Sequence, residues 1–378
     1  MSEETLYIDS PDALAALCGR LGGEPWLALD TEFMREDTYF PELCLVQIAT
    51  PRVVACIDPL AIADLAPLRT LLCDASAVKV FHAARQDLEL MFHRFGVVPA
   101  PLFDTQIGAA LLGMPEQIGY SDLVQRLIGV ELSKAHTRTD WRARPLAAEQ
   151  VRYAEDDVRF LAEVYVRIVA DLASRDRLAW AVEDSAGLVE PALYTVHPDD
   201  AWERVKGAHQ LRGPEVGFLT RLAAWREATA QRQNRPRAWI LRDEVLVELA
   251  RHRPATPPAL AALRGMPPAV ARRHGAALLD LLAQPPPPAR AQVRRSVDPA
   301  QIELVGRCQR LVRERAANLD IPPSVLASRR ELEALVLHPH AQHRLARGWR
   351  LPLVGAELLA LAQASGAGEG GDASPPVA

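Results

Sequence analysis

Leu27-Ala28-Leu29-Asp30-Thr31-Glu32-Phe33 is the stretch on which the fold turns. It is apolar enough for a buried strand yet carries carboxylates at i and i+2, and a period of two puts Asp30 and Glu32 on the same face of a sheet. Two acids on one buried face repel each other and lose hydration unless a cation neutralises them. The other reading is a strand end where both stay solvated. Outward from here, residues 26–30, 43–48 and 53–57 are short apolar or β-branched runs separated by turn-length segments, as in a strand meander. Helical spacing over 63–72, a strand at 78–81, a helix over 86–95 and a short element at 101–103 then alternate. Helices are expected over 123–128 and 147–173, the second with Val151, Ala154, Val158, Leu161 and Val164 in phase. The expectation is an α/β domain with a mixed sheet flanked by helices.

Two further acids fall in suggestive places. In Val80-Phe81-His82-Ala83-Ala84-Arg85-Gln86-Asp87-Leu88-Glu89 a strand ends and a helix begins, with Asp87 in its first turns. An acid there also has a plain role as partner of the helix dipole. In Gln150-Val151-Arg152-Tyr153-Ala154-Glu155-Asp156-Asp157 on the long helix, Tyr153 and Asp157 are four apart and share a face, while Glu155 and Asp156 point elsewhere. Between these, Lys134, Arg138, Arg142 and Arg144 interleave with His136 and Trp141. Cations beside an aromatic suit a single-stranded nucleic acid, and a buried Trp141 is the competing reading.

Beyond Pro191 strand signals fade and the chain reads as all-helical. Pro285 to Pro288 cannot be helix interior and mark a stiff linker. On either side lie similar segments: Trp225-Arg226-Glu227, Pro236, Ile240, Leu246, Leu249 and Pro254, then Val312-Arg313-Glu314, Pro322, Leu326, Leu332, Leu335 and Pro339. An offset near 86 throughout implies a duplicated helical module. The tail over 364–378 is small, Gly-rich and expected to be disordered.

Net charge of −5 conceals a division, since residues 1–190 hold 17 Lys+Arg against 30 Asp+Glu and residues 191–378 hold 26 against 18. The first half can gather divalent cations and the second can attract a polyanion, with Arg232, Arg235, Arg237, Arg251, Arg253, Arg272 and Arg273 as its candidate face. No C-x-x-C pair occurs among the five cysteines, so neither disulfides nor a zinc site are expected. No apolar run approaches bilayer length and no signal-peptide pattern opens the chain, which implies a cytoplasmic protein. A nucleotide-driven helicase is disfavoured by the lack of any G-x-x-x-x-G-K-[ST].

D-x-E on a first strand, an aspartate at the start of a later helix and Y-x-x-x-D on a long helix, in this order, resemble the three exonuclease motifs of the DEDD superfamily, and the tyrosine resembles its DEDDy branch. Residues 38–47, Phe103-Asp104-Thr105-Gln106 and 138–146 are similar to the ribonuclease D family, which has a ribonuclease H-like fold. The duplicated segment looks like tandem HRDC modules. The resemblance spans roughly residues 5 to 363. It implies a 3′-5′ exonuclease domain over 1–195, all-α HRDC-like domains over 208–285 and 296–363, and a Pro-rich linker over 286–295. By the same likeness, Asp30, Glu32, Asp87 and Asp157 would hold two Mg²⁺ or Mn²⁺ ions, and Tyr153 would orient the attacking water. Hard oxygen ligands favour those cations over zinc. Candidate RNA contacts are His82, Lys134, Arg138, Trp141, Arg142 and Arg144. The implied substrate is RNA with a free 3′ end, such as a tRNA precursor, and the implied state is a monomer. Gln86 departs from the family, many of whose members carry an acid there, and touches no expected ligand. The same acids serve DNA exonucleases, since telling the sugars apart rests on contacts to the 2′-hydroxyl.

Overall fold

In this computed structural model, which describes residues 4–132, 139–287 and 298–366, the strands are β1 (Glu4–Ile8), β2 (Trp26–Met34), β3 (Glu42–Ala49), β4 (Val53–Ile57), β5 (Val78–Phe81) and β6 (Leu102–Asp104). The helices among them are α1 (Pro11–Leu21), α2 (Ala66–Leu72), α3 (Arg85–Phe95), α4 (Thr105–Leu111), α5 (Tyr120–Ile128), α6 (Ala148–Ser174) and α7 (Leu178–Ala186). The sheet order is β1-β4-β3-β2-β5-β6. β3 pairs antiparallel with both β2 and β4, and the outer pairings β1·β4, β2·β5 and β5·β6 are parallel. The mixed sheet expected from the sequence is therefore present, with β2 inside it.

Period-two alternation divides β2 cleanly. Leu27 and Leu29 enter an apolar layer with Leu14, Leu17, Leu68, Leu88 and Met91 from α1, α2 and α3. Ala28 faces the other way, into a layer with Val80, Phe103, Val158 and Leu161. Asp30 and Glu32 continue the Ala28 face, across which α6 lies. A register shift between Glu32 and Phe33 ends this strict alternation just past the second acid.

The helical half contains α8 (Pro214–Gln233), α9 (Arg237–Ile240), α10 (Asp243–His252), α11 (Pro257–Ala261), α12 (Pro268–Ala283), α13 (Pro299–Leu319), α14 (Pro323–Leu326), α15 (Arg329–Leu337) and α16 (Ala356–Gly366). α8, α9 and α10 repeat as α13, α14 and α15 at start-to-start offsets of 85, 86 and 86 residues. Left-handed C-caps at Asn234 (φ 47°) and Asp320 (φ 52°) recur at the same interval.

The two sets are anchored differently. Leu219, Leu222, Leu246, Leu249 and Leu278 build a core of their own, which Ala201, Trp202 and Val205 join from before residue 208. Leu304, Cys308, Val312, Leu335 and Leu358 instead extend the layer begun by Ala28 and Val158. There Trp349 stacks on Trp180 of α7 at 4.6 Å between centroids, and buried Arg350 donates to both carboxylate oxygens of Asp184 at 2.5 and 2.6 Å. Residues 288–297 of the linker lie outside the described residues. α16 runs to Gly366, into the segment read as tail, and residues 367–378 lie outside. No helix of the described residues is long and apolar enough to cross a membrane.

Candidate active site

Three elements carry the expected acids to one place. β2 presents Asp30 and Glu32 toward α6, and α6 presents Tyr153 and Asp157 one turn apart toward the sheet. Asp87 lies in the first turn of α3 and accepts a hydrogen bond from the Thr31 hydroxyl, the residue between the two β2 acids. A sharp turn after β5 aims α3, with Ala83 in the left-handed region at φ 56°. That conformation is costly for alanine, and Asp104 holds it: Oδ1 accepts from the Ala83 amide at 3.0 Å and Oδ2 from the Ala84 amide at 2.9 Å. Asp104 also caps α4 through the Gln106 amide at 2.8 Å. Its position in the Phe103-Asp104-Thr105-Gln106 segment thus has a physical cause.

The acids feel one another strongly. Burial, then the charge of Asp157, pushes Asp30 up to about 8. Burial, then Asp30, Asp157 and Asp87, pushes Glu32 up to about 10. Asp87 is raised well above the usual carboxylate range by burial and by Asp30. Asp157 is raised to about 7 by burial, which the hydrogen bond from Tyr153 partly offsets. Tyr153 is itself shifted upward, first by burial and then by Asp157, Glu32 and Asp30. The charges acting on these four carboxylates are other carboxylates. A set of hard carboxylate oxygens, buried at Asp87 and Asp157 and half-buried at Asp30 and Glu32, fits a divalent cation. The acids lie within electrostatic reach without forming a finished cage: among the described residues, no three His, Cys, Asp or Glu side chains surround one ion-sized position.

The candidate RNA contacts fare less uniformly. Trp141 is 2% exposed and packs with Cys44, Leu45, Cys56 and Ala154, its ring 6.2 Å from that of Tyr153. It cannot offer a face to a base, and it backs Tyr153 instead. Arg144 is likewise spoken for. Its guanidinium grips both oxygens of Asp58 at 2.5 and 2.8 Å and donates to the Trp141, Ala143 and Cys44 carbonyls. Burial pushes the Asp58 carboxyl up, but the Arg144 and Tyr7 hydrogen bonds outweigh it and leave Asp58 below the ordinary carboxylate range. Arg142 is half-exposed beside Asp37 and Asp140. Both His82 ring nitrogens are engaged, Nδ1 with Thr105 Oγ1 at 3.1 Å and Nε2 with the Ile118 carbonyl at 3.0 Å. Lys134 and Arg138 lie outside the described residues.

Sequence reasoning missed Tyr120. It is half-buried on α5, with its hydroxyl donating to the Asp157 carbonyl at 2.5 Å and its ring 5.6 Å from His82.

With this geometry in hand, comparison with known proteins is specific. A 3′-5′ exonuclease family model matches residues 6–173, and an HRDC domain model matches residues 215–282. Ribonuclease D of Acidiphilium cryptum is 41% identical over 368 residues, covering 95% of this chain and 93% of the relative. Ribonuclease D of Pseudomonas paraeruginosa is 39% identical over 365 residues, covering 94% and 97%. The crystal structure of Escherichia coli RNase D, described as an exoribonuclease involved in structured RNA processing, aligns with a TM-score of 0.85 at 33% identity, covering 96% of this chain and 99% of that one. Likeness of this extent, from the carboxylate strand through both helical sets, means that the chain belongs to the ribonuclease D family of 3′-5′ exoribonucleases.

Proposed function

We propose that this chain removes nucleotides one at a time from RNA 3′ ends, with Asp30, Glu32, Asp87 and Asp157 holding two divalent cations, Mg²⁺ or Mn²⁺. The observation that carries this reading is the gathering of four carboxylates on facing elements, Asp87 and Asp157 buried and Asp30 and Glu32 half-buried, none of them paired with a cationic side chain among the described residues. Cations bound there supply positive charge for the attacking and leaving oxygens of an in-line displacement at phosphorus. Water oxygen bonds to the terminal phosphorus, and the bond from phosphorus to the preceding 3′-oxygen breaks. That oxygen takes a proton and becomes the new 3′-hydroxyl, and a nucleoside 5′-monophosphate departs.

The chain's own residues orient these partners. Tyr153, shifted above its already high ordinary value, keeps its proton at neutral pH. It therefore acts as a donor that holds water and phosphate in line, and does not serve as the base. Trp141 behind it and Tyr120 beneath Asp157 restrict how far either group turns.

RNA with a free 3′ end is the substrate we favour, and tRNA precursors suit a basic helical half that gains affinity from phosphates without reading bases. The described structure of the Escherichia coli relative as a processor of structured RNA supports this choice. We further read residues 1–195 as the exonuclease domain and 208–285 and 296–363 as two HRDC-like modules, in a monomeric, cytoplasmic enzyme. Asp30→Asn, Asp87→Asn and Asp157→Asn test the site. Each is expected to lower hydrolysis of an RNA oligonucleotide more than about 100-fold, beyond the usual loss on altering a residue behind a metal ligand. Circular dichroism should remain that of the parent. Parent-like hydrolysis by any one of them removes that residue from the mechanism.

A further inference from the structure

Gln47 is a polar residue in the otherwise apolar interior of β3. It is 0% exposed, and among the described residues neither Oε1 nor Nε2 has a hydrogen-bond partner. Buried amides are nearly always paired, because an unpaired one has lost its water for nothing in return. Such an orphan in the middle of a well-ordered sheet calls for a reason.

Register supplies one. Gln47 stands directly opposite Asp30 on β2 and Cys56 on β4. Directly opposed residues project to the same face with Cβ atoms about 4.5–5.5 Å apart. That face is the one α6 covers, because Leu45 and Cys56 around Gln47 pack with Ala154 and Tyr153. The donors of the neighbouring acids are identified: Thr31 serves Asp87 and Tyr153 serves Asp157. Asp30 receives the Thr31 backbone amide and no side-chain donor among the described residues.

On the cation-assisted reading of this site, we propose that Gln47 is a positioning residue for Asp30, its Nε2 donating to the Asp30 carboxylate when cations occupy the acid cluster and holding that carboxylate in its ligand rotamer. An amide suits this task better than a lysine or arginine, which would compete with the cations, and better than an acid, which cannot donate. Leucine or methionine there would pack equally well and would make the apo sheet more comfortable. The retained amide then trades apo stability for an ordered ligand.

Gln47→Met, close in shape and unable to donate, separates the two possibilities in the full-length chain. We expect the chelator-treated variant to melt at or above the temperature of the parent, since an orphan has been removed. Mn²⁺ should then raise its melting temperature with a midpoint concentration about 10-fold higher or more, and kcat on an RNA oligonucleotide should fall about 10- to 100-fold with KM unchanged. Parent-like Mn²⁺ response and kcat would overturn the inference, as would a lower melting temperature in chelator, which would mark the amide as a partnered element of the fold. Gln47→Ala, which removes the amide without adding bulk, repeats the Mn²⁺ titration, and a parent-like response there overturns the inference as well. Asp30→Asn in parallel must lose most of the Mn²⁺ response. If it keeps that response the carboxylate reading itself fails, whereas loss in Asp30→Asn with none in Gln47→Met defeats only the role given to Gln47.

Discussion

Asp30 and Glu32 sit at the point where folding and chemistry conflict, and pH exposes the conflict. Their folded pKa values lie above the ordinary values near 4. For a group raised in this way, stability is full below the unfolded pKa and is lost as pH climbs through the folded one, because the native state then has to hold a charge it resists. The loss starts above the unfolded values near 4 and is complete for Asp157 near pH 7, for Asp30 near 8 and for Glu32 near 10. Chelator-treated protein is therefore expected to melt at steadily lower temperature between about pH 5 and 10, and Mg²⁺ should restore more at the alkaline end. Asp30→Asn should flatten the profile. A profile equally steep in that variant would mean that Asp30 is not among the strained acids. Trp141 belongs at the same scale. Trp141→Ala should cost about 3–5 kcal/mol of stability as a buried aromatic. Unchanged stability with weakened RNA binding would contradict its place behind Tyr153.

The shared faces of four side chains were legible in the sequence, since Asp30 and Glu32 at i, i+2 on a strand and Tyr153 and Asp157 at i, i+4 on a helix fix a face whatever the tertiary detail. Trp141 and Arg144 were not. Arg144 is held by Asp58, 86 positions away, and Trp141 is enclosed by Cys44, Leu45 and Cys56, which are similarly distant in sequence. Gln47 escaped notice because a lone polar residue in a strand resembles an outward-facing one until register places Asp30 beside it.

Among elements, the segment leaving β2 has the most consequential attachment. Just past Glu32 the chain leads to Tyr39 and Phe40, and Asn234 Oδ1 accepts both of their amides at 3.1 and 3.0 Å from the end of α8. The Tyr39 hydroxyl donates to Glu227, which also pairs with Arg237 at 3.0 Å. Helical residues nearly 200 positions away thus hold the loop flanking the acids. Asn234→Ala should accelerate hydrogen exchange at Tyr39 and Phe40 about tenfold, the scale of a single net hydrogen bond, while Asn234→Asp keeps an acceptor and the protection. Equal exchange in all three proteins would show that the loop is held by other means. β5 was readable to the residue and α6 to within one, since their apolar periods are unbroken. The short β1, α4 and α7 went unread. β1 pairs along one edge only and is largely exposed.

At the scale of the molecule, the two helical sets have different standing. The first has its own core and meets the exonuclease sheet through Tyr39, whereas the second completes a layer shared with α4, α5 and α6. Its duplication was visible in an offset near 86, but its burial against the first domain was not, because composition does not say which neighbour an amphipathic helix will choose. Ending the chain at residue 297 should therefore leave Trp180 without Trp349 and Asp184 without Arg350 and give an aggregating protein. A soluble, monodisperse product with the parent melting temperature would refute the shared core. The basic residues are also unevenly free: Arg251 pairs with Glu248 and Arg253 lies over Phe218, while exposed Trp239 carries Arg235 at 5.9 Å.

The account as a whole rests on buried carboxylates that need divalent cations to cut RNA from its 3′ end. Its most direct test is incubation with RNA labelled at the 5′ end, first with Mg²⁺ and then with chelator. The account predicts a ladder that shortens one nucleotide at a time from the 3′ end with Mg²⁺, and none with chelator. Equal shortening under chelation, or label released at once as a mononucleotide, would contradict it.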